Sequence, residues 1–95
     1  MNKYEAMFII KPDLSEEEKK SLFNQIGETI TKNNGIVNEA SVWAERRKLY
    51  FSLKRNTEGL YYLVKFLSDP SAIKDLKHNY KLNENILRSM ISKIE

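Results

Sequence analysis

Ninety-five residues, 41% of them hydrophobic and 31% charged, are the composition of one soluble domain spanning residues 1–95, with room for a modest core but not for two. The absence of cysteine excludes a disulfide framework, a thiolate nucleophile and cysteine-based zinc or iron–sulfur sites. A net charge of +3 is unevenly spread, with five Lys/Arg against six Asp/Glu in residues 1–35 and eleven against seven in residues 36–95.

The opening MNKYEAMFII has neither the apolar run nor the small-residue cleavage pattern of a secretory signal. No segment of the chain is apolar over a bilayer-spanning length. A cytoplasmic protein without membrane contact is expected. From Lys3 to Ile10 the pattern alternates loosely, with Tyr4, Ala6, Phe8 and Ile10 on one face and Met7 and Ile9 on the other. That is a central strand covered at least partly on both faces, and Pro12 stops it. Ser15-Glu16-Glu17-Glu18 forms a capping box, and its glutamates oppose the positive end of a helix dipole. Leu14, Leu22, Phe23, Ile26 and Ile30 recur at helical spacing, and Asn33-Asn34-Gly35 supplies a left-handed stop. Gly27, inside that helix, reads as a point of close packing against a sheet.

Ile36 to Leu53 predicts one long strand whose phase slips. Val42 and Ala44 share one parity, whereas Leu49, Phe51 and Leu53 share the other. One inserted residue flips every side chain, so a bulge is expected near Glu45–Lys48. A polar stretch ending in Glu58-Gly59 follows, with Gly59 expected as the turn residue. Leu60, Tyr62, Val64 and Phe66 then alternate with Tyr61, Leu63 and Lys65 in a second strand. Ser68-Asp69-Pro70 begins another helix, with Asp69 as cap and Pro70 at the first position. Ile73, Leu76 and Tyr80 mark its buried stripe. Ile86 to Ile94 closes the chain as a strand. The order β-α-β-β-α-β predicts an α+β, ferredoxin-like sandwich: a four-stranded antiparallel sheet with two helices on one face and the other face left for a partner.

The hairpin from Val42 to Phe66 concentrates five cations (Arg46, Arg47, Lys48, Lys54 and Arg55) among six aromatics (Trp43, Tyr50, Phe51, Tyr61, Tyr62 and Phe66). Cations suit phosphates, and flat rings suit bases or a protein partner. The aromatics are expected to be mostly structural, with Tyr62 and Phe66 in the core. The segment Gly59-Leu60-Tyr61-Tyr62-Leu63-Val64 departs from the aromatic motif of RNA-recognition domains, because Glu58 precedes the glycine and Tyr61 stands where glycine or alanine belongs. Catalytic signals are weak elsewhere. His78 is the single histidine and lacks convergent partners for acid–base or metal chemistry. Three glycines (Gly27, Gly35 and Gly59) cannot assemble a phosphate-binding loop or a nucleophile elbow. No cofactor or metal is expected.

The whole chain resembles the bacterial small-subunit ribosomal protein S-six family. The likeness rests on Tyr4-Glu5, Pro12 and the capped helix. It continues through Arg47-Lys48-Leu49-Tyr50-Phe51-Ser52-Leu53, similar to the family's R-[KR]-L-A-Y-P-I, then Gly59 before Tyr61, and Leu87-Arg88 with Met90-Ile91 and Lys93. Glu45, Tyr50, Phe51 and Ser52 depart from the family's usual glycine, alanine, tyrosine and proline. The resemblance implies a non-enzymatic constituent of the ribosome that binds the central domain of small-subunit ribosomal RNA beside ribosomal protein S-eighteen. Arg47, Lys48 and Arg88 match family positions and become candidate contacts to RNA or partner. Lys3, Arg46, Lys54 and Arg55 join them on charge and placement. The competing expectations are a small-molecule-binding regulator or dimeric α/β-barrel enzyme on the same fold, which predicts an enclosed pocket, and a protein-interaction module that binds no RNA.

Overall fold

The computed structural model describes residues 1–94. Its elements are β1 (Asn2–Ile10), α1 (Glu16–Lys32), β2 (Ile36–Leu53), β3 (Asn56–Ser68), a 3-10 turn (Pro70–Ala72), α2 (Ile73–Lys81) and β4 (Ile86–Lys93). The sheet order is β2-β3-β1-β4, with every neighbouring pair antiparallel. The expected β-α-β-β-α-β ferredoxin-like sandwich is the observed one.

β1 and β3 form the centre. Their register places Tyr4 opposite Phe66, Ala6 opposite Val64, Phe8 opposite Tyr62 and Ile10 opposite Leu60, and all eight side chains are buried on the helix-covered face. From α1 come Leu22, Ile26 and Ile30, and from α2 Leu76 and Tyr80. Phe23 stacks on Tyr62 with ring centroids 4.0 Å apart, and Phe8 meets Tyr80 edge-on at 4.8 Å. The Tyr80 hydroxyl donates to the Ile26 carbonyl at 2.7 Å, joining the helices with a satisfied buried hydrogen bond. Burial pushes the Tyr80 phenol well above its ordinary pKa, so it remains a neutral donor.

Ser15 caps α1 as expected. Its hydroxyl accepts from the Glu18 amide at 3.1 Å, and the Glu18 carboxylate accepts from the Ser15 amide at 3.0 Å. At the far end Asn34, with φ 64°, takes the left-handed position. Asp69 occupies the cap position before Pro70, but its side chain makes no capping bond.

The two glycine expectations need correction. Gly59 lies inside β3, whereas the turn is formed by Lys54 and Arg55. A Cβ at Gly59 would come within 2.6 Å of Ile9 Cγ2, so close approach of β1 requires the glycine. Gly27 packs against nothing within 4 Å of such a Cβ.

Replacing Gly27 with alanine should therefore stabilise the protein by about 0.5–1 kcal/mol, because a helix gains from the lower backbone entropy of alanine. Gly59→Ala should destabilise it by about 1–3 kcal/mol through overpacking; thermal unfolding of both variants checks the opposite signs. Hydrogen bonds from the Ser15 amide and hydroxyl hold Glu18 below the ordinary carboxylate range. Its contribution is complete above that range and disappears as pH falls through the lowered pKa. Glu18→Gln should lose less stability than wild type between neutral and acid pH, measured by melting at each pH.

Candidate functional site

β2 has 18 residues and β3 has 13, yet a two-residue turn joins them. The excess appears as register shifts at four places: between Val37 and Glu39, Val42 and Ala44, Ala44 and Arg47, and Lys48 and Leu53. The bulge expected near Glu45–Lys48 is one of them. Ala44 pairs with Tyr61 and Arg47 with Gly59, so three steps along β2 match two along β3. A bulge of this kind turns consecutive side chains to one side. Glu45 and Arg46 both reach the helix layer: Glu45 lies 3.8 Å from Lys19 on α1, and Arg46 bridges Asp13 at 2.6 Å and Glu58 at 2.9 Å. These hydrogen bonds, the one Arg46 donates to Asp13 foremost, raise the Arg46 pKa further. Arg46 thus ties β2 to the loop before α1 and to β3.

Arg47 emerges on the uncovered face of the sheet. Its guanidinium carbon lies 4.4 Å from the Trp43 ring centroid and 5.8 Å from that of Tyr61, and the two rings are 5.7 Å apart. Such a cation–π contact orients the guanidinium while its donors stay on the surface. Cross-strand pairing puts Tyr61 beside Ile9, Leu63 beside Met7 and Leu67 beside Lys3 on this face. Met90 lies opposite Met7, and Arg88 opposite Ile9. The result is a band of apolar and aromatic side chains with Arg47 and Arg88 on β2 and β4. Lys3 sits toward the opposite end of β1, in a shallow groove with Asn38, Glu39 and Lys65.

The other candidates are elsewhere. Lys48 pairs with Glu58 and so faces away from Arg47. Lys54 and Arg55, with φ 47° and 68°, form the tip, where two successive positive φ values define a type I′ turn. The Asn56 amide braces it by donating to the Lys54 carbonyl at 3.1 Å. The tip crosses to β4, where Lys54 Nζ donates to the Ile86 carbonyl at 3.2 Å. Arg46, Arg47 and Lys48 therefore do not share one patch.

The hairpin's aromatics divide as well. Tyr62 and Phe66 are core residues, whereas Tyr50 and Phe51 are 102% and 81% exposed and Trp43 is 53% exposed. The expectation of mostly structural aromatics fails for these three rings. Their position in the irregular half of β2 was the available signal, since a strand out of register cannot keep alternate residues inward. His78 is exposed on α2. Among the described residues no cluster of three or more His, Cys, Asp or Glu could hold a metal ion, and no helix is long and apolar enough to cross a membrane.

Residues 3–93 match the family model of ribosomal protein S6. The chain belongs to the ribosomal protein S6 family. It is 41% identical over 95 residues to small ribosomal subunit protein bS6 of Helicobacter acinonychis, covering 100% of this chain and 66% of that one. The chain thus spans about two thirds of the length of its Helicobacter relatives. Small ribosomal subunit protein bS6 of Thermoanaerobacter pseudethanolicus is 37% identical over 91 residues, covering 96% and 95% of the two chains. The crystal structure of 30S ribosomal protein S6 from Thermotoga maritima superposes with a TM-score of 0.87 at 27% identity, over 97% of this chain and 86% of that one. Membership in the S6 family makes the chain a structural protein of the small ribosomal subunit rather than an enzyme, and places it on the ribosome in the cytoplasm.

The turn gives a direct test of strain. A non-glycine residue in the left-handed region costs about 1–2 kcal/mol, so Arg55→Gly should raise stability by roughly 0.5 kcal/mol after the added chain entropy of glycine. Arg55→Val should lower it, and denaturant midpoints measure both.

Proposed function

We propose that this S6-family chain contacts small-subunit ribosomal RNA through its exposed cations and docks ribosomal protein S-eighteen on the uncovered face of its sheet. The observation that carries the reading is the composition of that face. Met7, Tyr61, Leu63 and Met90 lie together by strand register, with Trp43 holding Arg47 in place. A band of aromatic and methionine side chains flanked by arginine has the anatomy of a protein interface. RNA would reach the cations around it: Arg47 and Arg88 on this face, Lys48 on the opposite side of β2, Lys54 and Arg55 at the tip, and Lys3 on β1. Arg46 fits a structural part better, because two carboxylates already take its guanidinium.

Binding carried by phosphate contacts releases counterions, so RNA affinity should fall steeply as salt rises. A flat response between low and physiological salt would be incompatible with this mechanism. Arg47→Ala with Lys48→Ala should weaken association with the RNA and S-eighteen at least tenfold. The stability cost should not exceed about 1 kcal/mol, the scale of an exposed cation–π contact. Co-sedimentation with small subunits together with thermal melting separates the two effects. Equal losses of binding and stability would return both residues to a structural part.

A further inference from the structure

Behind the hairpin tip lies a second basic feature that no local sequence pattern marks. An open cleft of about 470 Å³ is bounded by the tip, α2 and the start of β4. Four cations line it: Lys54 from the tip, Lys77 and Lys81 from α2, and Arg88 from β4. Tyr80 and Ile86 also line it. Among the described residues no carboxylate lines this cleft.

Local structure explains only part of this arrangement. Lys77 and Lys81 are four residues apart and share one helix face, and a cation in the last turn favours the helix dipole. Dipole complementarity does not account for Arg88 on a strand, or for Lys54 brought in from the end of a long hairpin. Lys54 is held there by the Ile86 carbonyl at 3.2 Å, which occupies one of the three donors on its ammonium. The Tyr80 hydroxyl is committed to Ile26 and leaves the cleft to the charges. Three separate elements therefore bring four cationic residues to the border of one concavity, where mutual repulsion is relieved by an anion.

We propose that this cleft is a seat for the phosphodiester backbone of ribosomal RNA, engaging adjacent phosphates without reading bases. The inference rests on the RNA-binding reading above and extends it to Lys77 and Lys81. An extended polyanion matches four cations distributed over a strand, a helix and a turn better than a single phosphate does. Lysines act here as point charges, and Arg88, whose register directs it to the uncovered sheet face, would continue the phosphate path past the edge of the cleft.

The test uses the full chain together with ribosomal protein S-eighteen, titrated against a transcript of the central domain of small-subunit ribosomal RNA over a series of salt concentrations. Lys77→Ala with Lys81→Ala should weaken RNA binding about tenfold at physiological salt. The magnitude of the log–log salt slope should fall by about 2, one for each phosphate no longer neutralised. Lys77→Arg with Lys81→Arg should restore both, while the melting temperature and capture of S-eighteen stay at wild-type values. Unchanged affinity and slope in the alanine variant, with wild type binding normally, would overturn the cleft alone. Failure to capture S-eighteen with RNA binding intact would overturn it too, by making the cleft a protein interface. A wild-type complex that does not bind the transcript would remove the RNA reading itself.

Discussion

The length mismatch between β2 and β3 is the constraint on which the surface of this protein depends. Two strands joined by a two-residue turn must run in parallel measure, yet β2 carries five residues more than β3, 18 against 13. The surplus can only leave the ladder, and each exit changes which side the next side chain faces. Where three residues of β2 match two of β3, Glu45 and Arg46 turn to the helices and Arg47 turns to the uncovered sheet. The largest surplus, beyond Lys48, projects Tyr50 and Phe51 into solvent. Backbone register, more than composition, allocates cations and rings to scaffold or surface.

That allocation gives the molecule two electrostatic regimes. On the helix side, Arg46 is neutralised by Asp13 and Glu58, and Glu45 by Lys19. These exposed pairs contribute modestly to stability, but they fix how β2 lies against the rest of the protein. On the uncovered face and around the hairpin tip, Arg47 rests on rings, while Lys54 and Arg88 border a concavity that no carboxylate lines among the described residues. A core built from β1, β3 and the two helices underlies both regions.

The fold was legible because its signals were local and agreed with one another. The capping box at Ser15, the period-2 pattern of Leu60 to Phe66, and the spacing of Leu76 and Tyr80 each point to the element observed. The phase slip in β2 also foretold a bulge. The turn was harder to read. Glu58-Gly59 looked like its end because glycine is the usual turn residue, whereas Lys54 and Arg55 adopt positive φ and Gly59 serves an inter-strand contact. The positive cleft was not legible at all, since Lys54, Lys77 and Arg88 are far apart in the chain and meet only through the curl of the hairpin. Arg46 shows the converse, because Asp13 is 33 residues away and nothing in the basic triplet distinguishes Arg46 from Arg47.

The interrupted course of β2 has a consequence for the protein before it is assembled. β2 borders the sheet, and a flat 18-residue border would offer a continuous row of amide and carbonyl groups to any passing strand. Natural sheets blunt such borders with bulges and charge. Four breaks in register and the run Glu45-Arg46-Arg47-Lys48 do both here. The border strand of a chain that carries exposed aromatics thus offers a passing strand little regular backbone to pair with.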